Sequence, residues 1–197
     1  MRAYPRPMAT VINFEERAVA QLRERLGAVE EANQDLIAFA RGHSGATSSI
    51  HAAVLAAMEA DGVDALLHVV TQEWPLILRI DAVALALVVG DKGFRADGNG
   101  VQVVEPKLLE RSVRDVAGVE MRTVKRGHPL FGPACDLIRA EALVRIDSNP
   151  PMPRGILAIG QRAELSLDAR HGSELLMFLG RSLGAIIRKW VIDPKLT

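Results

Sequence analysis

The sequence has little of what several classes of protein require. Cys135 is the single cysteine among 197 residues, so no internal disulfide can form and a reducing compartment is indicated. Aromatic residues make up only 4 % of the chain, so its core must consist mainly of interlocking aliphatic side chains. The 24 Lys and Arg residues balance 24 Asp and Glu residues. Because nucleic-acid binding normally requires an excess of basic residues, this balance argues against such a partner.

Long apolar runs are also missing. The run at residues 82–90 is far shorter than the roughly 20 residues that a membrane-spanning helix needs. The N-terminus carries prolines at positions 5 and 7 and lacks the apolar core of a signal peptide. We therefore expect a cytoplasmic protein without a membrane partner, in which residues 1–12 form a loose tail.

What is present begins with a heptad pattern in a helix predicted from Asn13 to about Arg41. Its a and d positions before residue 40 are Val19, Leu22, Leu26, Val29, Asn33 and Leu36. An asparagine at position a costs stability but pairs with itself across a parallel two-stranded seam, and Arg25 and Glu30 are placed to attract across that seam. Two interpretations stay open: a homodimer seam, or an amphipathic helix folded back on its own domain.

Glycines at positions 42 and 45 predict a break, which separates a helical region at residues 13–45 from a domain at residues 46–197. In that domain, one helix is predicted to start at Thr47–Ser49 and to stop at Asp61-Gly62, and a further one to run from Asp64 to about Glu73. The segment Ala82–Val89 then alternates large and small apolar residues, as in a strand that is buried on both faces.

The remaining segments are mostly strands. They are predicted at Val101–Val104, Val119–Val124, Ala142–Asp147 and Gly155–Gln161, with a helix opening at Pro106 and a final helix at Asp168–Val191. Turns are predicted at residues 91–93 and 97–100, and the last two strands are hairpin candidates. Helices first, then strands, then a helix is an α+β order, which indicates an antiparallel sheet flanked by helices.

The order and spacing of these segments, from about Phe14 to Val191, resemble GAF-type sensor domains. More narrowly, they resemble the bacterial family of domain of unknown function 484. The features that carry the resemblance are the charged first helix, the strand Val83–Val89, Leu130-Phe131-Gly132, the strand Arg154–Gly160 and the leucine-rich helix ending at Trp190. The resemblance implies an antiparallel sheet, often with a small-molecule pocket on one side, and dimerisation through terminal helices.

Within the resemblance, the basic segment before Leu130-Phe131-Gly132 lies over the pocket mouth. The candidate ligand-binding residues are Arg122, Arg126, His128, Phe131 and Cys135. Basic side chains there would hold an anion by charge-assisted hydrogen bonds, whereas the alternative is a solvated loop neutralised by Asp115 and Glu120. The His that accompanies a bilin-attachment cysteine and the signature of cyclic-nucleotide sites are both absent, so the cofactor stays unknown.

Catalytic and metal-binding patterns are weak. His128 and Cys135 are conceivable as a catalytic pair, but a small buried thiol is the favoured interpretation of Cys135. The five histidines lack zinc-site spacing, and we expect neither a metal nor a catalytic residue. We predict a non-enzymatic sensor or regulatory domain that binds a small molecule and forms a homodimer. The alternative is a scaffold for a protein partner, with a pocket filled by its own side chains.

Overall fold

A computed structural model describes residues 14–146, 154–163 and 169–192 of the chain. The helices are α1 (Phe14–Met58), α2 (Val63–His68), α3 (Trp74–Leu78), α4 (Pro106–Asp115) and α5 (Ala169–Ile192), with a π-helical turn at Val69–Glu73. The strands are β1 (Ala82–Val89), β2 (Lys92–Asp97), β3 (Gly100–Val104), β4 (Val119–Thr123), β5 (Ala140–Ile146) and β6 (Arg154–Gln161). None of the described helices combines the length and apolar character that a membrane span requires.

The predicted break at residues 42–45 is wrong, because α1 is continuous from Phe14 to Met58. Gly42 and Gly45 each weaken a helix by only about 1 kcal/mol relative to alanine, and no proline follows them to end it. The chain divides into two compact units in sequence between Gly45 and Ala46, a point that falls inside α1. All strands belong to the second unit.

The six strands form one sheet in the order β3-β2-β1-β6-β5-β4, and every neighbouring pair is antiparallel. This confirms the predicted α+β class with an antiparallel sheet flanked by helices. β1 has the predicted bounds, and the last two strands pair as predicted. The turn expected at residues 91–93 is partly wrong, because Lys92 and Gly93 begin β2. That strand was missed since Lys-Gly-Phe-Arg-Ala-Asp lacks a regular apolar alternation.

The two faces of the sheet differ in side-chain size. On the large face, Val83 and Leu85 of β1 pack with α5, the end of α1 and Trp74, whose indole N–H donates to the carbonyl of Ala53 at 2.9 Å. On the small face, β1 presents alanines at positions 82, 84 and 86, and β6 presents Ala158. This face is covered by α4 and by the 3₁₀ stretch Pro129–Leu137, which we call the cover segment.

One glycine-to-alanine substitution tests the packing of the sheet, and a second one tests the continuity of α1. Gly155 lies on β6 opposite Leu87, and a Cβ there would sit 2.5 Å from the carbonyl oxygen of Ala86. We expect Gly155→Ala to lower the free energy of unfolding by about 1–3 kcal/mol. Gly42→Ala meets nothing within 4 Å and should raise the helicity of α1, at a gain of about 0.5–1 kcal/mol.

Urea unfolding followed by far-ultraviolet circular dichroism measures both effects. A Gly42→Ala variant with unchanged helicity would contradict the continuous α1, because a glycine in a true break gains nothing from alanine.

Candidate functional site

A buried carboxylate organises the region that the sequence indicated. Glu141 on β5 is 1 % exposed and lies opposite Arg122 of β4 in the sheet register. Its Oε1 accepts a hydrogen bond from Nε of Arg122 at 2.7 Å, and its Oε2 accepts one from the backbone N–H of His128 at 2.6 Å. Both carboxylate oxygens are therefore satisfied, which a buried charge requires.

The guanidinium of Arg122 forms ion pairs with two carboxylates. Its Nε donates to Glu141, and its Nη1 donates to Oε1 of Glu120 at 2.7 Å. Burial lowers the pKa of Arg122, but the hydrogen bond and charge of Glu141, together with Glu120, outweigh it and raise the pKa overall. An anionic ligand would have to compete with both carboxylates for this guanidinium.

The imidazole of His128 caps the N-terminal end of the cover segment. Its Nδ1 accepts a hydrogen bond from the backbone N–H of Leu130 at 3.2 Å, and its Nε2 lies 3.3 Å from the hydroxyl of Ser112 on α4. Because Nδ1 is an acceptor, the neutral ring carries its proton on Nε2. The Ser112 hydroxyl donates in turn to the carbonyl of Leu108 at 3.2 Å. Burial lowers the pKa of His128 and favours this neutral form.

Ser112, His128 and Glu141 have the residue types of a catalytic triad but not its hydrogen bonds. In a triad the carboxylate accepts the Nδ1 proton and Nε2 accepts the proton of the serine. Here Glu141 accepts a backbone N–H, and the imidazole directs its own proton toward Ser112. In this arrangement His128 caps the cover segment and does not act as a base toward Ser112.

Two other candidate ligand-binding residues, Arg126 and Cys135, lie near the C-terminal end of the cover segment. Cys135 is 7 % exposed, and its carbonyl accepts a hydrogen bond from Gly127 at 2.8 Å. Nε of Arg126 lies 2.7 Å from the carboxylate of Asp136 in an exposed pair. A hydrogen bond to Cys135 and the charge of Asp136 raise the pKa of Arg126. Arg126 and Cys135 thus meet at this end, whereas Arg122 and His128 meet through Glu141.

Phe131 occupies the place where the resemblance implies a pocket. Its side chain is 2 % exposed and belongs to the apolar cluster on the small face, together with Leu130 and Ile138. Two glycines admit the ring: a Cβ on Gly160 or Gly127 would lie 2.9 or 3.1 Å from its atoms. A cavity of about 300 Å³ lies elsewhere, between the end of α1 and α5.

A second polar cluster lies on the small face at β2. Arg95 pairs with Ala86 in the register and contacts the 4 %-exposed Asp97, with 3.2 Å between Nη2 and Oδ2. Nη2 also donates to Gln102 of β3. Gly132 of the cover segment has φ 55° and lies so close that a Cβ would be 2.9 Å from Nη2 of Arg95. Within the described residues, Nε of Arg95 is buried without a hydrogen-bond partner.

Sequence reasoning missed Glu141 and Ser112. The predicted strand began at Ala142, so Glu141 was left outside it. Only when that strand is extended to include Glu141 and paired in the observed antiparallel register does Glu141 lie opposite Arg122, and opposite charges across a ladder are then a recognisable signal. Ser112 has no comparable signal, because its contact depends on how α4 packs against the sheet.

The predicted dimer seam lies in the first unit. Leu26 and Val29 are 60 % and 65 % exposed in the single chain, and Asn33 is exposed as well. Val19, Leu22 and Leu36 lie in α1, but their side chains are outside the described residues. The seam stays a prediction.

Comparison with solved structures identifies the class of fold. The GAF domain of a phosphoenolpyruvate-protein phosphotransferase from Coxiella burnetii matches with a TM-score of 0.53 at 15 % identity, covering 78 % of this chain and 98 % of that one. The free methionine-R-sulfoxide reductase from Neisseria meningitidis, solved with its substrate, matches with 0.52 at 16 % identity, covering 71 % and 86 %. A GAF domain of a putative sensor histidine kinase from Pseudomonas syringae pv. tomato matches with 0.50 at 13 % identity, covering 82 % and 97 %. At such identities the likeness shows a GAF-like fold and no more.

The family follows from the sequence. The model of the family described as "Protein of unknown function, DUF484" matches residues 3–192, so the chain belongs to that family. This confirms the resemblance stated from the order of the segments. A search of curated proteins finds no significant sequence match.

The carboxylate of Glu141 can be tested by Glu141→Gln. The amide has a single acceptor oxygen, so either Arg122 or the N–H of His128 loses its partner. We expect the free energy of unfolding to fall by about 3 kcal/mol, because a buried charged hydrogen bond is broken on one side. The matched control Glu120→Gln removes an exposed partner of the same arginine and should cost about 0.5 kcal/mol or less. Equal losses in urea unfolding would contradict a special role for Glu141.

The neutral His128 predicts a pH dependence of stability. The ordinary pKa of 6.5 applies to the unfolded chain, and burial makes the folded value lower. Between these two values the unfolded chain binds more protons, so this contribution to stability is lost as the pH falls through 6.5 and levels off below the folded pKa.

His128→Asn keeps an acceptor for the N–H of Leu130 but does not titrate. Urea unfolding near neutral pH and near pH 5 should therefore show the variant losing less stability than the wild type on acidification. A parallel loss in both proteins, or an NMR titration of His128 above its ordinary pKa, would refute the interpretation.

Proposed function

We propose that the chain is a non-enzymatic regulatory module that dimerises through its terminal helices and binds a protein partner, with its sheet face filled by its own side chains. The observation that carries the proposal is the position of Phe131. It is 2 % exposed, and with Leu130 and Ile138 it covers the alanines of β1 and β6. Of the two functions that the sequence predicts, this geometry supports the scaffold over the small-molecule sensor.

The space on the small face is consistent with this proposal. Small-molecule sites usually offer a cleft of about 300–1,000 Å³. The alanine side chains at positions 84, 86 and 158 would leave room of that kind, but Phe131 from the cover segment and Leu109 from α4 occupy it. Leu109 is 1 % exposed, so the filling involves two separate elements.

The hydrogen bonds of His128 support the proposal that the module is non-enzymatic. A general base needs an unprotonated nitrogen directed at the group it activates. The free nitrogen of this imidazole is occupied by the N–H of Leu130, and the protonated one faces Ser112. Neither nitrogen is available to activate that hydroxyl.

A specific observation favours the sensor as a second candidate. The buried Nε of Arg95 has no acceptor among the described residues, and the backbone of Gly132 closes over the ion pair with Asp97. A small ligand with an acceptor group would satisfy that nitrogen if the cover segment lifted. The related fold of the neisserial reductase was solved with a substrate bound, which is a precedent for small-molecule binding in that protein.

Native mass spectrometry of the full chain tests the two candidates. The scaffold predicts the mass of a dimer with no small molecule attached. A reproducible non-covalent adduct, released and identified under denaturing conditions, would contradict the self-filled face and favour the sensor.

Two substitutions in the cover segment provide the matched control. Phe131→Ala should lower the free energy of unfolding by about 3–5 kcal/mol, because it opens a cavity in a packed cluster. Leu137→Ala removes a side chain that is 49 % exposed and should change it by about 0.5 kcal/mol or less. A near-neutral Phe131→Ala would indicate a displaceable gate and would count against the proposal.

A further inference from the structure

The two edges of the sheet differ in how they are protected. β4, at one edge, carries the ion pair of Glu120 and Arg122, and its Met121 packs into the core beside α5. β3, at the other edge, has no charged residue and no proline from Gly100 to Val104, and its register with β2 runs without a bulge. Charges, prolines and bulges are the usual protection of an edge strand, because its open backbone pairs readily with another chain. β3 therefore has the character of an edge that is left open.

The exposed side chains of β3 are apolar and β-branched. Val101 is 55 % exposed and Val103 is 73 % exposed. Val103 lies opposite Phe94 of β2, which lies opposite Leu87 of β1, so an apolar row crosses the large face and ends at the open edge. β-Branched side chains in such a row gain stability from cross-strand neighbours. A further strand beside β3 would supply those neighbours.

The backbone groups of the same two valines face away from the sheet. The two-residue loop Gly98-Asn99 joins β2 to β3, so Asp97 and Gly100 form the first hydrogen-bonded pair of the ladder. Bonded and open pairs alternate in an antiparallel ladder, so positions 100, 102 and 104 bond β2, whereas Val101 and Val103 direct N–H and C=O outward. Among the described residues, neither valine has a backbone hydrogen bond to a segment outside the hairpin.

Side-chain hydrogen bonds hold the β2–β3 hairpin in this form. Oδ1 of Asp97 accepts the N–H of Asn99 in the loop at 2.8 Å. Nη2 of Arg95 donates to Gln102 across the two strands and also contacts Asp97. A binding surface that is ordered before its partner arrives loses little conformational entropy on binding. The ordering cost of strand addition at β3 would fall mainly on the incoming segment.

We propose that β3 is the docking edge for the protein partner in the proposed function, and that the partner adds an extended segment beside it as a further strand. The main chain of this segment pairs with the outward N–H and C=O groups of Val101 and Val103. Its side chains alternate, so apolar ones lie beside the two valines and polar ones beside Gln102. The inference rests on the proposed function and specifies the partner as an extended peptide with apolar residues two positions apart.

The length of β3 favours a peptide segment over a second copy of the chain. Its five residues span about 17 Å, and a strand laid along them covers only a few hundred Å². A stable protein interface needs roughly 800 Å² from each partner. A short extended segment gains its affinity from main-chain hydrogen bonds and forms a reversible contact of this size.

A phage-displayed library of random linear peptides, selected on the full chain, probes the edge without assuming a partner sequence. We expect selected peptides to carry β-branched or aromatic residues at alternate positions and to bind with a dissociation constant of about 1–100 µM by fluorescence anisotropy. Val103→Pro removes an outward N–H without removing a hydrogen bond to β2, and should raise this constant at least about thirtyfold. The matched control Val103→Thr keeps the N–H and the β-branch and should raise it less than about fivefold.

A second variant covers the case in which proline perturbs the hairpin. Val101→Lys places on β3 the residue that natural edge strands use against pairing, and should raise the dissociation constant about tenfold. Its urea unfolding should match that of the wild type, because the side chain at this position is exposed. Hydrogen exchange of the full chain with a selected peptide should slow at the amides of Val101 and Val103 and stay unchanged in β4.

The outcomes separate this inference from the proposed function. A library that yields no binder overturns the docking edge, as do peptides whose affinity is unchanged by Val103→Pro and Val101→Lys. In both cases a dimer without a small-molecule adduct leaves the regulatory module standing. A wild-type dimer that becomes a monomer in Val103→Pro would place a second copy on this edge and also overturn the peptide. A small-molecule adduct, with peptides that are sensitive to both variants, would contradict the proposed function and support the docking edge.

Discussion

The burial of β1 and β6 on both faces is the constraint on which the rest of the structure depends. They are the two central strands of a six-stranded sheet, and the side chains of β1 alternate between small ones on one face and large ones on the other from Ala82 to Leu87. Large side chains such as Leu85 meet the helices α1 and α5 directly. The alanines on the other face are too small to fill the space, so a bulky cover from elsewhere in the chain is needed. Phe131 and Leu109 supply it.

The cover segment has apolar side chains in its middle, and polar contacts hold it to the sheet. Glu141 holds its start through the N–H of His128, and the Arg95–Asp97 pair lies beneath Gly132. Buried polar groups of this kind are stable only while their partners stay in place. The residues that resemble a ligand site are therefore mostly engaged in keeping the face closed, which directs the proposed function toward other surfaces of the molecule.

Particular residues show why part of this was predictable and part was not. The alternation in Ala82–Val89 was sufficient to predict β1 and its two unlike faces, since side chains in a strand alternate by geometry. β2 lacks such a pattern and forms because pairing with β1 satisfies its backbone. Gly42 and Gly45 suggested a break, yet a glycine penalises a helix without ending it. Arg122 was recognised as a basic candidate, but its partner Glu141 comes from a strand 19 positions away in sequence.

The sequence by itself determined the α+β class, the family and the helical character of both ends, because composition and period act locally along the chain. Tertiary structure alone decided that the small face is filled by Phe131 and Leu109, and that the imidazole of His128 accepts the N–H of Leu130 while its own proton lies on Nε2. Each of these outcomes depends on which distant segments meet. Packing and hydrogen bonding between such segments are cooperative, so no local pattern specifies them.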